Sequence, residues 1–243
     1  MGVGVKTDIG RIREVNQDAY YISVIEENPL FIVADGMGGH KAGEIASNMA
    51  VDIISADLGK DVTLLELDDN SIKNRIKESI GRANEEIYKK SLEDESYSGM
   101  GTTVTLIYSK GKKVFIGHVG DSRAYLLRKN ILLQLTKDHS LVEELIRNGS
   151  ISREEAKLHP QRHIITRAVG TSPDVEADLI VQEKHKGDIF LLCTDGLTSM
   201  LADDEIREQL LICENMQKIC EELVEFANEK GGFDNITVVA IKF

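Results

Sequence analysis

Two stretches of helical periodicity stand back to back after the second of seven strand-length apolar runs, and three later runs follow one another with no helix between them. A doubly wound parallel sheet needs strand and helix to alternate, because each parallel crossover carries a helix. The order here predicts an α+β protein with mostly antiparallel sheets. The runs are Ala19 to Ile25, Leu30 to Ala34, Thr102 to Tyr108, Lys113 to Val119, Ser122 to Leu127, Asp188 to Cys193 and Asn235 to Ile241. They are rich in β-branched residues and bounded by Gly, Asp or Asn, as strands are. Ser109-Lys110-Gly111-Lys112, between two of them, predicts a hairpin turn.

Ile45, Met49, Ile53 and Ile54 recur at helical spacing from Ala42 to Leu58. Ile72, Ile76, Ile80, Ala83 and Ile87 do the same from Ser71 to Lys90. Ser140 with Glu143 reads as a capping box and Gly149 as that helix's end; Ser152 with Glu155 repeats the cue. A last helix sets Met216, Ile219, Cys220, Leu223, Val224 and Ala227 on one face and stops at Gly231-Gly232. No repeat and no Gly/Ser-rich linker interrupts the chain, so residues 1–243 read as one domain.

Trp is absent and aromatics are 5% of the chain, so the core must rest on Ile, Leu, Val and Ala. The net charge of −12 repels nucleic acid and anionic membranes, so neither is expected as a partner, and any phosphate site must be local. Three cysteines, Cys193, Cys213 and Cys220, show neither a CxxC nor a disulfide spacing; Cys193 and Cys220 read as core fillers. Met1 to Gly10 has no apolar leader, and no run approaches the roughly 18 residues of a membrane span. The expected location is the cytoplasm.

Four of the strand-like runs lead into or out of an aspartate beside a small or amide residue: Asp35-Gly36, Asp121-Ser122, Asp195-Gly196 and Asp234-Asn235. An aspartate at a buried strand end has a short, stiff side chain fixed by the sheet. If several such ends meet, their carboxylates cannot all stay ionised without a cation. Oxygen-only ligands suit hard ions such as Mg²⁺ or Mn²⁺. Each aspartate alone reads equally as a turn or a cap, since Asp-Gly is a common turn dipeptide. In Asp35-Gly36-Met37-Gly38-Gly39-His40, three glycines let the backbone turn tightly and bring carbonyls near an ion. A nucleotide-phosphate loop is not indicated, because neither GxxxxGK[ST] nor GxGxxG occurs.

Taken together, Thr7-Asp8-Ile9-Gly10, Arg13-Glu14-Val15-Asn16-Gln17-Asp18, Asp35-Gly36-Met37-Gly38-Gly39, Gly99-Met100-Gly101-Thr102-Thr103, Gly120-Asp121-Ser122-Arg123, Thr194-Asp195-Gly196-Leu197 and Asp234-Asn235-Ile236-Thr237 span nearly the whole chain. In this order and spacing the sequence resembles the type 2C (PPM) metal-dependent serine/threonine protein phosphatases in their compact bacterial form. The resemblance implies a central β-sandwich of two mainly antiparallel sheets flanked by α-helices. It implies two Mn²⁺ or Mg²⁺ ions, with Asp35 bridging them, the Gly36 carbonyl completing the second, and Asp195 and Asp234 holding the first. Asp121 with Asp195 would offer a third, weaker site, Asp18 would act on metal-bound waters, and Arg13 would clamp the substrate phosphate. The implied reaction is hydrolysis of phosphoserine and phosphothreonine on cytoplasmic proteins by a metal-activated water, opposing a bacterial serine/threonine kinase.

Two departures stand out. Gln17 replaces a Glu common among relatives, removing a charge near the second ion. Met37 fills the place of a His that animal enzymes carry after Asp-Gly, which leaves His40, His139 or a metal-bound water as candidates for the general acid. Residues 138–170, with Arg147, Arg153, His159, Arg162, His163 and Arg167, match the family's flap beside the active site or form an exposed excursion. Two other functions are open: a phosphopeptide-binding module without turnover, and a phosphatase of a small metabolite. Inactive relatives usually lose a metal aspartate, and Asp35, Asp195 and Asp234 are all present here.

Overall fold

The computed structural model describes residues 1–23, 29–39, 41–59, 61–212 and 214–243, without the side chains of residues 62 and 157. The last two residues of the Ala19 to Ile25 run, His40 and Cys213 lie outside the described residues. Two antiparallel sheets stack face to face. In one, β1 (Gly2–Asp8) pairs with β11 (Ile236–Lys242), which pairs with β10 (Ile189–Cys193), then β7 (Arg123–Arg128) and β8 (Ile131–Gln134). In the other the order is β2 (Asp18–Ile22), β3 (Leu30–Met37), β5 (Val104–Lys110), β6 (Lys113–Val119) and β9 (Asp178–Glu183), with β4 (Gly101–Thr102) on the far end of β3.

Helices cover both outer faces, so the inner strands are buried on two sides and read as continuous apolar runs rather than alternating ones. Phe31 and Val33 of β3 enter the layer between the sheets with Ile107, Leu126, Phe190, Leu192, Val239 and Ile241. Leu30, Ile32 and Ala34 point the other way, against α1 (Ala42–Leu58) and α2 (Asp69–Ser91). On the opposite flank, Leu191, Cys193, Val238 and Ala240 pack under α6 (Asp203–Ile212) and α7 (Met216–Glu229). Each fully buried Leu, Ile, Val or Phe contributes roughly 1.5–3 kcal/mol of transfer free energy. Asp68 and Asn215 cap α2 and α7 by accepting backbone N–H bonds.

The periodicity placed α1, α2 and α7 within two residues. The complete capping box forms at Ser152 and Glu155, ahead of α4 (Arg153–Lys157). Before α3 (Leu141–Arg147) only half forms: Ser140 Oγ accepts from Glu143 N–H at 3.4 Å. The β5–β6 hairpin turns at Gly111-Lys112 as the sequence predicts. Strands β1, β8 and β9 were not among the predicted runs. All three are edges and largely half-exposed or exposed, and β8 is only four residues long. In β1 the backbone itself must approach a helix: a Cβ on Gly4 would stand 2.2 Å from the Met216 carbonyl of α7.

Candidate active site

One end of the sandwich gathers aspartates from both sheets. Asp18 opens β2 and lies directly opposite Asp35 in the β2–β3 register. Cross-strand neighbours share a face, so these like charges are forced together. Asp121 follows β6, Asp234 precedes β11, and Asp195 opens the single turn of α5 (Asp195–Thr198). Asp35 thus lies inside a strand rather than past one, and Asp195 begins a helix that the sequence did not announce. Gly36 is buried in β3, where a Cβ would stand 2.1 Å from the Gly43 carbonyl oxygen of α1. Its role in the fold is this close approach of strand and helix, rather than a turn.

The five carboxyls feel one another. Burial, then the charges of Asp18, Asp195, Asp121 and Asp234, hold Asp35 well above the usual carboxylate range. Burial pushes Asp18 up to about 7 against two hydroxyl bonds that oppose the shift, with Asp195 and Asp234 adding to it. Burial, Asp195 and Asp138 push Asp121 up to about 8, and burial with Asp234 raises Asp195. Oδ1 of Asp18, of Asp121 and of Asp195 is buried without a hydrogen-bond partner. Such oxygens are rare in folded proteins. An oxygen-only donor set with uncompensated negative charge fits a hard divalent cation.

Among the described residues no three Asp, Glu, His or Cys side chains form a ready-made metal cage. Asp234 is engaged on both oxygens: Oδ2 accepts from Arg13 Nη2 at 2.7 Å and Oδ1 from Asn235 N–H at 2.8 Å. Arg13, the expected phosphate clamp, is half-exposed at the rim and held by this pair, within electrostatic reach of Asp35 and Asp195.

Hydroxyls and amides to which the sequence motifs gave no role of their own support the cluster. Thr103 Oγ1 accepts from Asp35 N–H at 2.9 Å and meets Ser122 Oγ at 2.8 Å, linking Asp35 to the turn after Asp121. Thr194 Oγ1 donates to Asp18 Oδ2 at 2.9 Å. The Asn235 amide donates to the carbonyls of Ile9 and Val15 and accepts from Gln17 N–H, which fixes the loop bearing Arg13. The sequence signal for these groups was the threonines and amides lodged inside the aspartate motifs.

His139 is buried and committed: Nδ1 accepts from Gly120 N–H at 3.0 Å, and Nε2 faces Asp178 Oδ2 at 3.3 Å. It ties the root of residues 138–170 to the strand end that carries Asp121. Arg167 is likewise occupied, donating to Asp178 Oδ1 at 2.9 Å. Arg147, Arg153, Arg162 and His163 are exposed, and His163 lies within electrostatic reach of Asp195.

The sequence matches the protein phosphatase 2C family over residues 11–236. It is 42% identical over 238 residues to the serine/threonine phosphatase stp of Listeria monocytogenes, covering 98% of this chain and 94% of that protein. The S. agalactiae serine/threonine phosphatase superposes with a TM-score of 0.91 at 38% identity, over 98% of this chain and 97% of that one. The catalytic domain of the serine/threonine phosphatase PstP, solved with two manganese ions, gives 0.85 at 34% identity, over 98% and 96%. With the family matching residues 11–236 and relatives covering 98% of its length, this chain belongs to the protein phosphatase 2C family.

Proposed function

We propose that the chain is a Mn²⁺- or Mg²⁺-dependent protein-serine/threonine phosphatase whose ions are held by Asp35, Gly36, Asp195 and Asp234, with Asp18 beside them. The observation that carries this reading is the convergence of five aspartates from both sheets, three of them with an orphaned buried oxygen. The manganese-bound PstP neighbour supports the choice of ion. Oδ1 of Asp121, without a hydrogen-bond partner among the described residues, and the nearby charge of Asp195 support a third, weaker site. When bound, such ions supply Lewis-acid charge and acidify water near neutral pH.

The chain's own groups do the rest. Arg13 offers a guanidinium fork to the substrate phosphate, sharing or leaving Asp234 as it does so. Attack by water needs no covalent enzyme intermediate. Cys193 and Cys220 are unsuited to one, since burial pushes both thiols up to about 12. The substrates are phosphorylated proteins of the bacterial cytoplasm, and the partner enzyme is the serine/threonine kinase that the phosphatase opposes; the names of the bacterial relatives support the phosphoprotein substrates. Among the described residues no helix is long and apolar enough to cross a membrane.

The test is phosphate release from a phosphothreonine peptide. Release with Mn²⁺, its loss in EDTA and its return on adding Mn²⁺ are expected. Silence toward phosphopeptides at every Mn²⁺ concentration would end the enzyme reading. Faster turnover of small phosphomonoesters than of phosphoproteins would move the substrate class to metabolites.

A further inference from the structure

We infer that Thr194 and Thr237 are positioning residues that pin one oxygen of Asp18 and leave the other as its working oxygen. The inference rests on the reading above, in which Asp18 serves the bound ions. Thr7 and Thr237 are register partners across β1 and β11, and Thr194 follows β10 and donates its N–H to the Thr237 carbonyl at 3.0 Å. The three threonines therefore lie in a row across three strands, directly behind Asp18. Thr194 and Thr237 are fully buried.

The hydrogen bonds run one way. Thr194 Oγ1 accepts from Thr237 N–H at 2.9 Å, so its single hydrogen is left for Asp18 Oδ2, at 2.9 Å. Asn16 Oδ1 accepts from Asp18 N–H at 3.1 Å, which turns the Asn16 amide so that its Nδ2 donates to Thr7 Oγ1 at 2.9 Å. Thr7 Oγ1 and Thr237 Oγ1 lie 2.8 Å apart, and the Thr237 hydroxyl is close enough to the Asp18 carboxyl to favour its charged form. Among the described residues Oδ1 has no partner, and the bond from Thr194 ends on Oδ2. A carboxylate normally turns either oxygen to its task; here the Thr194 hydroxyl is spent on one of them. Groups that orient a ligand in this way typically control 10–100-fold of metal affinity or activity.

The full chain should be compared as wild type, Thr194→Val, Thr194→Ser and Thr237→Val. Mn²⁺ affinity is read by titration calorimetry, folding by thermal melting, and turnover with a phosphothreonine peptide. We expect either Val variant to weaken Mn²⁺ binding about 10-fold and lower kcat about 10-fold at constant KM. Thr194→Ser, which keeps the hydroxyl, should restore both to within about twofold. A Val variant that melts lower but binds Mn²⁺ as wild type does would show a merely structural role and overturn the proposal. If the Val variants fail to fold, Asp18→Asn decides. The pinned geometry sets its amide oxygen on the two hydroxyls and its NH₂ where Oδ1 stood, so it should bind Mn²⁺ more weakly than Asp18→Ala. Binding no weaker than Asp18→Ala would overturn the inference. Wild-type protein that binds Mn²⁺ yet hydrolyses nothing would instead refute the phosphatase reading, with the affinity comparison still standing.

Discussion

Arg13 and Asp234 hold each other at the rim of the cluster, one a substrate group and the other an ion group in the proposed reaction. Arg13→Ala frees Asp234 while removing the phosphate's fork, so KM for a phosphopeptide should rise about 10-fold with Mn²⁺ affinity unchanged or higher; steady-state kinetics beside calorimetry would check both. Asp35→Asn removes the carboxylate that feels all the others and should lower kcat by at least about 10³-fold through loss of the ions, measured at saturating Mn²⁺. A different residue sets an acid limit on folding. His118 is fully buried, with Nε2 donating to the Lys137 carbonyl at 3.0 Å and Nδ1 meeting Thr105 Oγ1 at 2.9 Å. Burial and then His139 depress its pKa to about 4, against the pull of the Lys137 carbonyl, Asp138 and Asp178. An unfolded His takes its proton near 6.5. Between those values the unfolded chain binds more protons, so stability is complete above the upper value and falls as pH drops toward the lower. From pH 7 to pH 5 the loss is about 2 kcal/mol, and urea melts of His118→Gln should show that much less acid sensitivity than wild type. At this scale the five aspartates were legible because each stands in a short motif. Thr194 and Thr237 were not, because the bond from Thr194 reaches Asp18 across 176 positions and the bond from Thr237 reaches Thr7 across 230.

Strand β3 and helix α1 meet through glycines on both sides. A Cβ on Gly43 would lie 2.7 Å from the Gly36 carbonyl oxygen and 2.9 Å from Gln17 Cδ. Gly43→Ala must therefore push α1 away from Asp35-Gly36. The expected cost is about 2–3 kcal/mol by urea denaturation, with a fall in turnover as the strand end shifts. The element pattern was readable wherever a strand or helix is buried on a long face: β3, β5, β6, β10, β11, α1, α2 and α7 all carry enough apolar residues to declare their period. Edge strands β1, β8 and β9 do not declare theirs, because their apolar residues form runs of three at most, or are split by glycine as in β1. The four-residue α5 is too short for any period; its signal was the Thr-Asp-Gly triplet, which read as a strand end.

For the molecule as a whole, the crowded carboxyls make folding and ion binding one equilibrium. A ligand at 100 times its Kd stabilises the folded state by about 2.7 kcal/mol. For a chain of this size that is a rise of roughly 5–10 °C in Tm. Thermal melting with and without Mn²⁺ should show it, EDTA should abolish it, and Asp35→Asn should remove most of it. The antiparallel α+β class followed from the order of elements and the two-sheet sandwich from the family resemblance, whereas the pairing of sheets at one end followed from neither, since it depends on contacts between the chain's extremes. That pairing has a consequence for how the protein comes into being. Strand β11 lies between β1 and β10, with Val5 opposite Val239 and Leu192 opposite the same residue. It also follows every other strand and helix of this fold in chain order, so it leaves a ribosome after them. Until it emerges, β1 has no strand to pair with, Thr237 cannot reach Asp18, and Asp234 is still in the exit tunnel. Vectorial synthesis therefore builds the helices and the second sheet first and withholds the reactive centre to the end, so a stalled or clipped nascent chain is released without phosphatase activity.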